Sequence, residues 1–156
     1  MNDPILIGWR ERVDLPDWGL SALPAKADTG ARSSAIDVAE IEELADGTVR
    51  FVVVTDRKDP AARRTLEAPI SRRTRVRSSF GQDHDRLFVT TRIRLAGIEF
   101  TTEVGLVCRR NMISRMLLGR RTLANRFAVD SARRYLHRPP KRRQSTSPES
   151  AEGSKT

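Results

Sequence analysis

Apolar residues along the chain occur mostly in short runs that end at Gly, Pro, Asp or Asn, and many of these runs alternate with polar residues. This pattern is typical of strands with one buried face rather than of long amphipathic helices. It predicts an all-β fold. The predicted strands cover residues 5–13, 22–27, 34–44, 49–55, 64–70, 74–79, 86–95, 98–108 and 128–131.

Two connections are predicted to be tight hairpins, and one short helix is expected near the end of the folded region. The hairpins lie at Ala45-Asp46-Gly47 and Ala96-Gly97, where glycine supplies the positive φ that such turns need. The helix is expected around residues 120–126, because Leu123 and Phe127 lie four positions apart and would share one face. It would cover an open end of a sheet or barrel.

The composition fits one folded domain followed by a polar tail. The chain has 156 residues, of which 38% are hydrophobic and 31% charged, so one core of modest size is expected. From residue 138 onward the sequence consists mainly of Pro, Ser, Lys, Arg, Glu and Thr, a composition typical of disorder. We therefore predict a domain over residues 1–137 and a disordered basic tail over residues 138–156.

Several features predict a cytoplasmic protein that does not contact a membrane. No apolar run approaches the about 18 residues of a membrane helix, and the first residues lack the basic and then apolar pattern of a secretory signal. The single cysteine, Cys108, excludes an intramolecular disulfide and fits a reducing compartment.

Basic residues outnumber acidic residues by 29 to 20, which gives a net charge of +9 at pH 7. Such a surplus favours polyanionic partners or acidic substrates. Genomic base composition is an alternative explanation for the many arginines, so the charge by itself does not assign a function.

The strongest candidate for chemistry is the triplet Asp28-Thr29-Gly30, which directly follows a predicted strand. An acid at the end of a probable strand, followed at once by threonine and glycine, is suggestive of a reactive carboxylate on its own. The alternative is a simple polar turn, because Asp and Gly are common turn residues. The later segment Met116-Leu117-Leu118-Gly119 is an ordinary apolar pattern that gains meaning only in combination with the triplet.

Together these two segments resemble the retropepsin-like aspartic peptidases, in which Asp-Thr/Ser-Gly-Ala forms the active-site loop and an apolar-apolar-Gly segment packs beneath it. Further segments resemble one bacterial family, labelled ATP-dependent zinc protease or RimB/RimK-related, and the resemblance spans roughly residues 5–135. The segments are Gly8-Trp9-Arg10-Glu11, Leu15-Pro16, Gly19-Leu20, Ala25-Lys26, Asp28-Thr29-Gly30-Ala31-Arg32, Ser34-Ala35 and Leu117-Leu118-Gly119-Arg120.

The resemblance implies a retropepsin-like closed barrel with one short helix and an active site that is completed by a homodimer. An aspartic peptidase needs two carboxylates, one to act as a base toward water and one to donate a proton to the substrate carbonyl. This chain has one Asp-Thr-Gly, so Asp28 of each subunit would meet its counterpart across a two-fold axis. Two carboxyls at such short range are expected to share one proton.

The predicted catalytic residues are Asp28, Thr29 and Gly30. Thr29 would hold the loop across the axis, and Gly30 would permit the close approach of the two loops. The residues that follow, Ala31, Arg32 and Ser34, are predicted to bind substrate or to brace the loop. Residues 75–81 resemble a family segment that forms a flap or substrate-facing hairpin, and a basic edge strand explains them equally well.

The zinc and ATP of the family label have no matching motif in this sequence. Zinc peptidases need several ligands, often arranged as His-Glu-x-x-His, whereas this chain has two histidines, His84 and His137. No Gly-x-x-x-x-Gly-Lys-Ser/Thr phosphate loop is present. Asp37 also stands where many family members have a histidine. We therefore predict neither a metal nor a nucleotide cofactor.

The resemblance extends to enzymes linked with RimK-type glutamate ligases, which append glutamates to protein C-termini. It implies a peptide or protein substrate with an acidic, glutamate-rich tail, which a basic protein would attract. The alternative is a non-catalytic basic module that binds the ribosome or RNA through its arginine pairs. The low aromatic content of 5% does not favour the stacking of bases on such a module.

Overall fold

The structure, a computed structural model, describes residues 3–55, 58–59, 61–77, 80–108 and 114–137. Most regular structure in these residues is strand, as the sequence pattern predicts. The elements in chain order are β1 (Ile5–Gly8), β2 (Arg10–Leu15), a 3-10 helix (Pro16–Trp18), β3 (Leu20–Ala27), β4 (Ser34–Asp37), β5 (Glu40–Glu43), β6 (Thr48–Val54), β7 (Arg63–Pro69), β8 (Arg72–Arg77), β9 (Asp83–Leu95), β10 (Ile98–Val107), β11 (Met116–Leu118), α1 (Arg120–Leu123) and β12 (Phe127–Asp130).

Six strands close into a barrel in the order β10-β4-β11-β3-β2-β9, and the antiparallel pairing of β9 with β10 completes the circle. Alternate residues along the barrel strands are buried, so that apolar side chains fill the interior. The predicted retropepsin-like closed barrel is confirmed. Its core includes Val13, Leu15, Leu23, Ala25, Ile36, Val89, Ile93, Leu95, Val104, Leu106, Met116 and Leu118.

Three further groups of strands extend this barrel. Strand β8 pairs with β9 to form a long hairpin, and β5, β6 and β7 form an antiparallel sheet of their own. Strands β1 and β12 pair in parallel. The three-stranded sheet contacts the 3-10 helix through Trp18 and Phe51, whose rings meet edge to face with centres 5.1 Å apart. This aromatic contact buries both side chains.

Two predicted strands are each divided in the structure, because the chain changes its pairing partner within them. Residues 5–13 form β1 beside β12 and then β2 in the barrel. Residues 34–44 form β4 in the barrel and then β5 in the three-stranded sheet. The amides at the crossings bond to different partners: Trp9 to Arg133, Val38 to Val107 and Ala39 to Val52.

The segment around the predicted helix also differs in detail. Helix α1 ends at Leu123, short of the predicted residues 120–126, because Ala124 is extended and Asn125 is left-handed with φ 67°. Strand β11 is not predicted by the sequence pattern, since a run of three apolar residues is too short to show alternation.

Both predicted hairpin turns are confirmed. Gly47 has a φ of 81° and joins β5 to β6. Ala96 and Gly97 have φ values of 54° and 83°, as a two-residue turn between antiparallel strands requires, and they join β9 to β10.

The predicted tail, residues 138–156, lies outside the described residues. Within the described ranges, no helix combines the length and the apolar character needed to cross a membrane.

Candidate active site

The loop of residues 28–33, here called the Asp28 loop, joins β3 to β4 and passes over the end of β11. Strand β11 is inserted between β3 and β4, parallel to the first and antiparallel to the second. Leu118, the last residue of β11, is in register with Ala27, the last residue of β3. The two segments that the sequence analysis singles out are therefore in direct contact.

Backbone hydrogen bonds fix the Asp28 loop to the end of β11 and the start of α1. The Asp28 amide donates to the carbonyl of Leu118 (2.9 Å), and the Arg120 amide donates to the carbonyl of Ala31 (2.8 Å). Since both bonds join main-chain atoms, they hold the backbone of the Asp28 loop in place independently of the conformation of the Asp28 side chain.

The loop makes a tight turn that orients the Asp28 carboxylate. The Gly30 amide donates to Asp28 Oδ1 (3.1 Å), and the Ala31 amide donates to the Asp28 carbonyl (3.1 Å). Asp28 is half-buried, whereas Thr29 and Gly30 are exposed. The turn therefore fixes the carboxylate through one oxygen and leaves it accessible, with the small Gly30 beside it.

Gly119 lies directly beneath the loop, and this explains why a glycine follows the apolar pair. A Cβ atom at this position would collide with the backbone of Ser33. Only glycine permits the two chain segments to approach so closely.

Ser34 is buried inside the barrel, where it braces the loop. Its Oγ accepts a hydrogen bond from the Gly119 amide (3.0 Å) and lies 2.5 Å from Thr122 Oγ1. Thr122 Oγ1 is in turn 2.7 Å from Thr102 Oγ1. Of the two roles considered for Ser34, this position fits bracing of the loop rather than contact with substrate.

The other predicted substrate-binding residues lie at the surface of the loop. Ala31 is half-buried and Arg32 is exposed. Arg120, from α1, directs its guanidinium across the loop and donates to the Thr29 carbonyl (3.0 Å). Arg121, the next residue of α1, is also exposed, and its guanidinium lies 3.9 Å from Glu103 on β10.

The Gly8-Trp9-Arg10-Glu11 segment supports the strand that carries Asp28. The Ala27 amide donates to the Trp9 carbonyl (2.8 Å). Glu11 is 1% exposed and accepts hydrogen bonds from the amides of Gly8 (2.8 Å) and Leu136 (2.9 Å). A buried carboxylate on β2, next to the strand that leads into the Asp28 loop, thus joins the start of the described chain to its end.

The described side chains do not form a cluster that fits a zinc ion. Among the described residues, no group of three or more His, Cys, Asp or Glu side chains is placed to hold a metal ion. His137 Nε2 lies 2.6 Å from the Leu6 carbonyl, and His84 lies on β9. The two histidines therefore belong to different parts of the fold.

A family model described as RimB-like, retropepsin-like aspartic endopeptidase RimB, matches residues 6–140. The chain belongs to this RimB-like family. The match includes the Asp28 loop, β11 and the Gly8–Glu11 segment, so the family resemblance seen in the sequence is confirmed.

Curated relatives of this RimB-like chain have the name probable alpha-L-glutamate ligase. The relative from Shewanella pealeana is 28% identical over 137 residues, and the one from Desulfotalea psychrophila is 30% identical over 130 residues. These matches cover 86% and 81% of this chain. The chain spans 30% and 28% of the two relatives' lengths, so their name describes much longer proteins.

A solved structure has the same fold. The crystal structure of a protein of unknown function from Legionella pneumophila superposes with a TM-score of 0.72 at 26% identity. The match covers 87% of this chain and all of the Legionella chain. The Legionella protein therefore shares the barrel fold of this RimB-like chain.

Proposed function

We propose that this chain is an aspartic endopeptidase that is active as a homodimer, with Asp28 of each subunit at the two-fold axis. One observation carries the proposal: backbone hydrogen bonds hold an Asp-Thr-Gly loop over β11 and leave its half-buried carboxylate accessible. One chain supplies one such loop, whereas peptide hydrolysis by this chemistry needs two carboxylates. A two-fold axis beside Asp28 would supply the second.

The proposed reaction uses one ionised and one protonated Asp28. The ionised carboxylate takes a proton from a water molecule, whose oxygen bonds to the scissile carbonyl carbon while the protonated carboxyl donates to the carbonyl oxygen. The resulting tetrahedral diol collapses when the C–N bond breaks. The first carboxyl then gives its proton to the leaving nitrogen, and the second recovers a proton from the diol, which restores the starting pair.

The neighbours of Asp28 suit the close approach of two loops. Thr29 and Gly30 are exposed at the tip of the turn, and neither they nor Ala31 has a side chain larger than that of threonine. Two copies of the loop would therefore approach without bulky side chains between their carboxylates. The Thr29 hydroxyl would supply a hydrogen bond across the axis.

An acidic peptide or protein tail is the substrate that fits the surroundings of Asp28 best. Arg32 lies in the loop and Arg120 contacts it, and guanidinium groups pair well with carboxylates. The curated relatives that contain a related segment are named as glutamate ligases, which supports a glutamate-rich substrate.

Binding of RNA or the ribosome without catalysis is the second candidate, favoured by the net charge of +9. Many arginines in the described residues already pair with carboxylates, which weakens this candidate. These include Arg50, Arg72, Arg73, Arg77, Arg92, Arg94 and Arg133.

The proposal is tested by comparing Asp28→Asn with Asp46→Asn. Asp46 is a matched control, because its Oδ1 also accepts a hydrogen bond from the amide two residues later, at Thr48 (3.2 Å). Both variants, and the wild type, are assayed between pH 4 and 8 on peptides with and without a glutamate tail, and their mass in solution is measured.

We expect the wild type and both variants to be dimers. Only the wild type and Asp46→Asn should cleave the peptide with the glutamate tail. Equal cleavage by Asp28→Asn would contradict the assignment of Asp28. A folded wild type that cleaves neither peptide, and binds RNA with an affinity that falls steeply with salt, would favour the second candidate.

A further inference from the structure

The β8–β9 hairpin begins at Arg72, and this side chain reaches the Asp28 loop. Arg72 Nη2 donates a hydrogen bond to Ser33 Oγ (3.2 Å), and Nε donates to Glu103 Oε1 on β10 (2.9 Å). Its guanidinium carbon lies 3.9 Å from the centre of the Phe88 ring. One half-buried arginine therefore contacts the loop, the barrel and the hairpin at the same time.

A row of paired residues runs beneath this arginine. Arg72 is in register with Phe88, Phe88 with Gly105, and Gly105 with Ala35 of β4. A Cβ at Gly105 would lie 2.9 Å from Cε1 of the Phe88 ring. The Phe88 ring can therefore approach the backbone of β10 this closely only because this residue is glycine, and the same ring contacts the guanidinium of Arg72.

Glu103 holds the arginine in this orientation. Its Oε1 lies 2.8 Å from Arg72 Nη2, and its Oε2 accepts a hydrogen bond from Ser71 Oγ (3.0 Å). The side chains of Arg72 and Glu103 are 31% and 25% exposed, so their pairing is shielded more than that of a surface ion pair. Two oxygens of one carboxylate thus fix two consecutive residues at the base of the hairpin.

We propose that Arg72 is a positioning residue that couples the β8–β9 hairpin to the Asp28 loop. This inference rests on the proposed peptidase function. The planar guanidinium bonds to Ser33 and Glu103 with separate nitrogens while it stacks on Phe88, a combination that a lysine cannot reproduce. Loss of the guanidinium removes the side-chain hydrogen bond at Ser33, so that the loop carrying Asp28 is held by its backbone bonds alone and becomes less rigid where it meets α1.

Arg73 provides a matched control. It is the next residue on β8 and its side chain points to the opposite face, where it makes a two-point ion pair with Glu43 (2.5 Å for each bond). Arg73→Met therefore removes the same charge and an equally complete ion pair from the same strand, without touching the Asp28 loop.

The test measures catalysis and backbone protection in Arg72→Met, Arg72→Lys and Arg73→Met. For Arg72→Met we expect kcat to fall about tenfold while KM changes less than about twofold, with a smaller loss in Arg72→Lys and none in Arg73→Met. Hydrogen exchange reports on the amides of Arg120 and Arg121, which donate to the carbonyls of Ala31 and Arg32. We expect both amides to exchange faster in Arg72→Met alone.

The two measurements separate this inference from the proposed function. If the wild type cleaves peptide but Arg72→Met matches Arg73→Met in kcat and in exchange, the inference is wrong and the function stands. If the wild type does not cleave peptide, the exchange measurement still decides whether Arg72 couples the hairpin to the loop. If Arg72→Met does not fold, Arg72→Lys replaces it, and wild-type values for this variant in both measurements overturn the inference.

Discussion

Gly119 and Ser33 are so close that a Cβ atom added at Gly119 would lie 2.4 Å from the carbonyl carbon of Ser33. Both residues contribute backbone at this contact, so no flexible side chain can move aside. The contact sets the height of the Asp28 loop above β11. Gly119 is therefore needed because its missing side chain lets the Asp28 loop lie close to β11.

We expect Gly119→Ala to destabilise the fold by about 1–3 kcal/mol, because the added atom forces the loop away from β11. Gly30→Ala is the control, since its Cβ would lie 3.4 Å from Asp28 Oδ1, an ordinary contact distance. This second variant should keep the wild-type stability but cleave peptide more slowly, because its methyl group occupies the space beside the carboxylate. Denaturant unfolding and peptide cleavage check both variants; equal stability of the two would contradict the steric role.

Thr122 joins two buried hydroxyls that lie under the loop. We expect Thr122→Val to cost about 1–3 kcal/mol, because Ser34 and Thr102 both lose a hydrogen-bond partner inside the barrel. The exposed Thr101, on the same strand as Thr102, gives the control Thr101→Val, whose effect should be within about 0.5 kcal/mol. If the two substitutions change the denaturation midpoint equally, the hydroxyl network does not stabilise the loop.

Arg32 provides a test of the preference for acidic substrates. We expect Arg32→Gln to slow the cleavage of a glutamate-tailed peptide, with little effect on an otherwise identical neutral peptide. The loss should shrink as the salt concentration rises, because ions screen an exposed charge. Arg134→Gln makes the same charge change at an exposed position outside the loop and should leave both rates unchanged. If Arg32→Gln slows the cleavage of both peptides by a similar factor, Arg32 does not select for acidic substrates.

Asp17 and Arg92 allow a prediction for the effect of pH on stability. The side-chain hydrogen bond from Arg92 Nε (2.9 Å) lowers the pKa of Asp17 below its ordinary value of 3.8. The pair therefore stabilises the fold above pH 3.8, and this stabilisation is lost as the pH falls through the lowered pKa. Asp17→Asn should thus be less stable than the wild type at pH 7 and equal to it in strong acid.

Urea unfolding at a series of pH values measures this difference. The control introduces Asp17→Asn into an Arg92→Gln background, where the difference should be small at every pH. If the free energies of unfolding of Asp17→Asn and the wild type instead differ by the same amount from pH 7 down to strong acid, the ion pair does not cause the difference.

The sequence predicts a barrel strand well where buried and exposed residues alternate along it. β9 alternates in this way over residues 89–95, where it is paired with β10. The division of residues 5–13 at Trp9 is not predicted, because it arises where the pairing partner of the chain changes from β12 to β3. Partner exchange is a long-range event that local periodicity does not encode.

In the candidate site, too, the sequence predicts local features but not contacts between residues that are far apart along the chain. The Asp28 loop is predicted because its residues are contiguous and match a family motif. The contact of Arg72 with Ser33 is not predicted, since 39 positions separate these residues and neither belongs to a motif with that spacing. The hydroxyl contact between Ser34 and Thr122 spans 88 positions and is equally invisible in a single sequence.

Mixed dimers test most directly whether the Asp28 residues of two subunits form one active site. Wild-type and Asp28→Asn chains are unfolded together, refolded at varied ratios, and assayed at constant total protein. If each active site needs Asp28 from both subunits, activity follows the square of the wild-type fraction, so an equal mixture keeps about one quarter of the wild-type activity. If activity instead falls linearly, so that an equal mixture keeps about half, each subunit acts alone and the shared site is wrong.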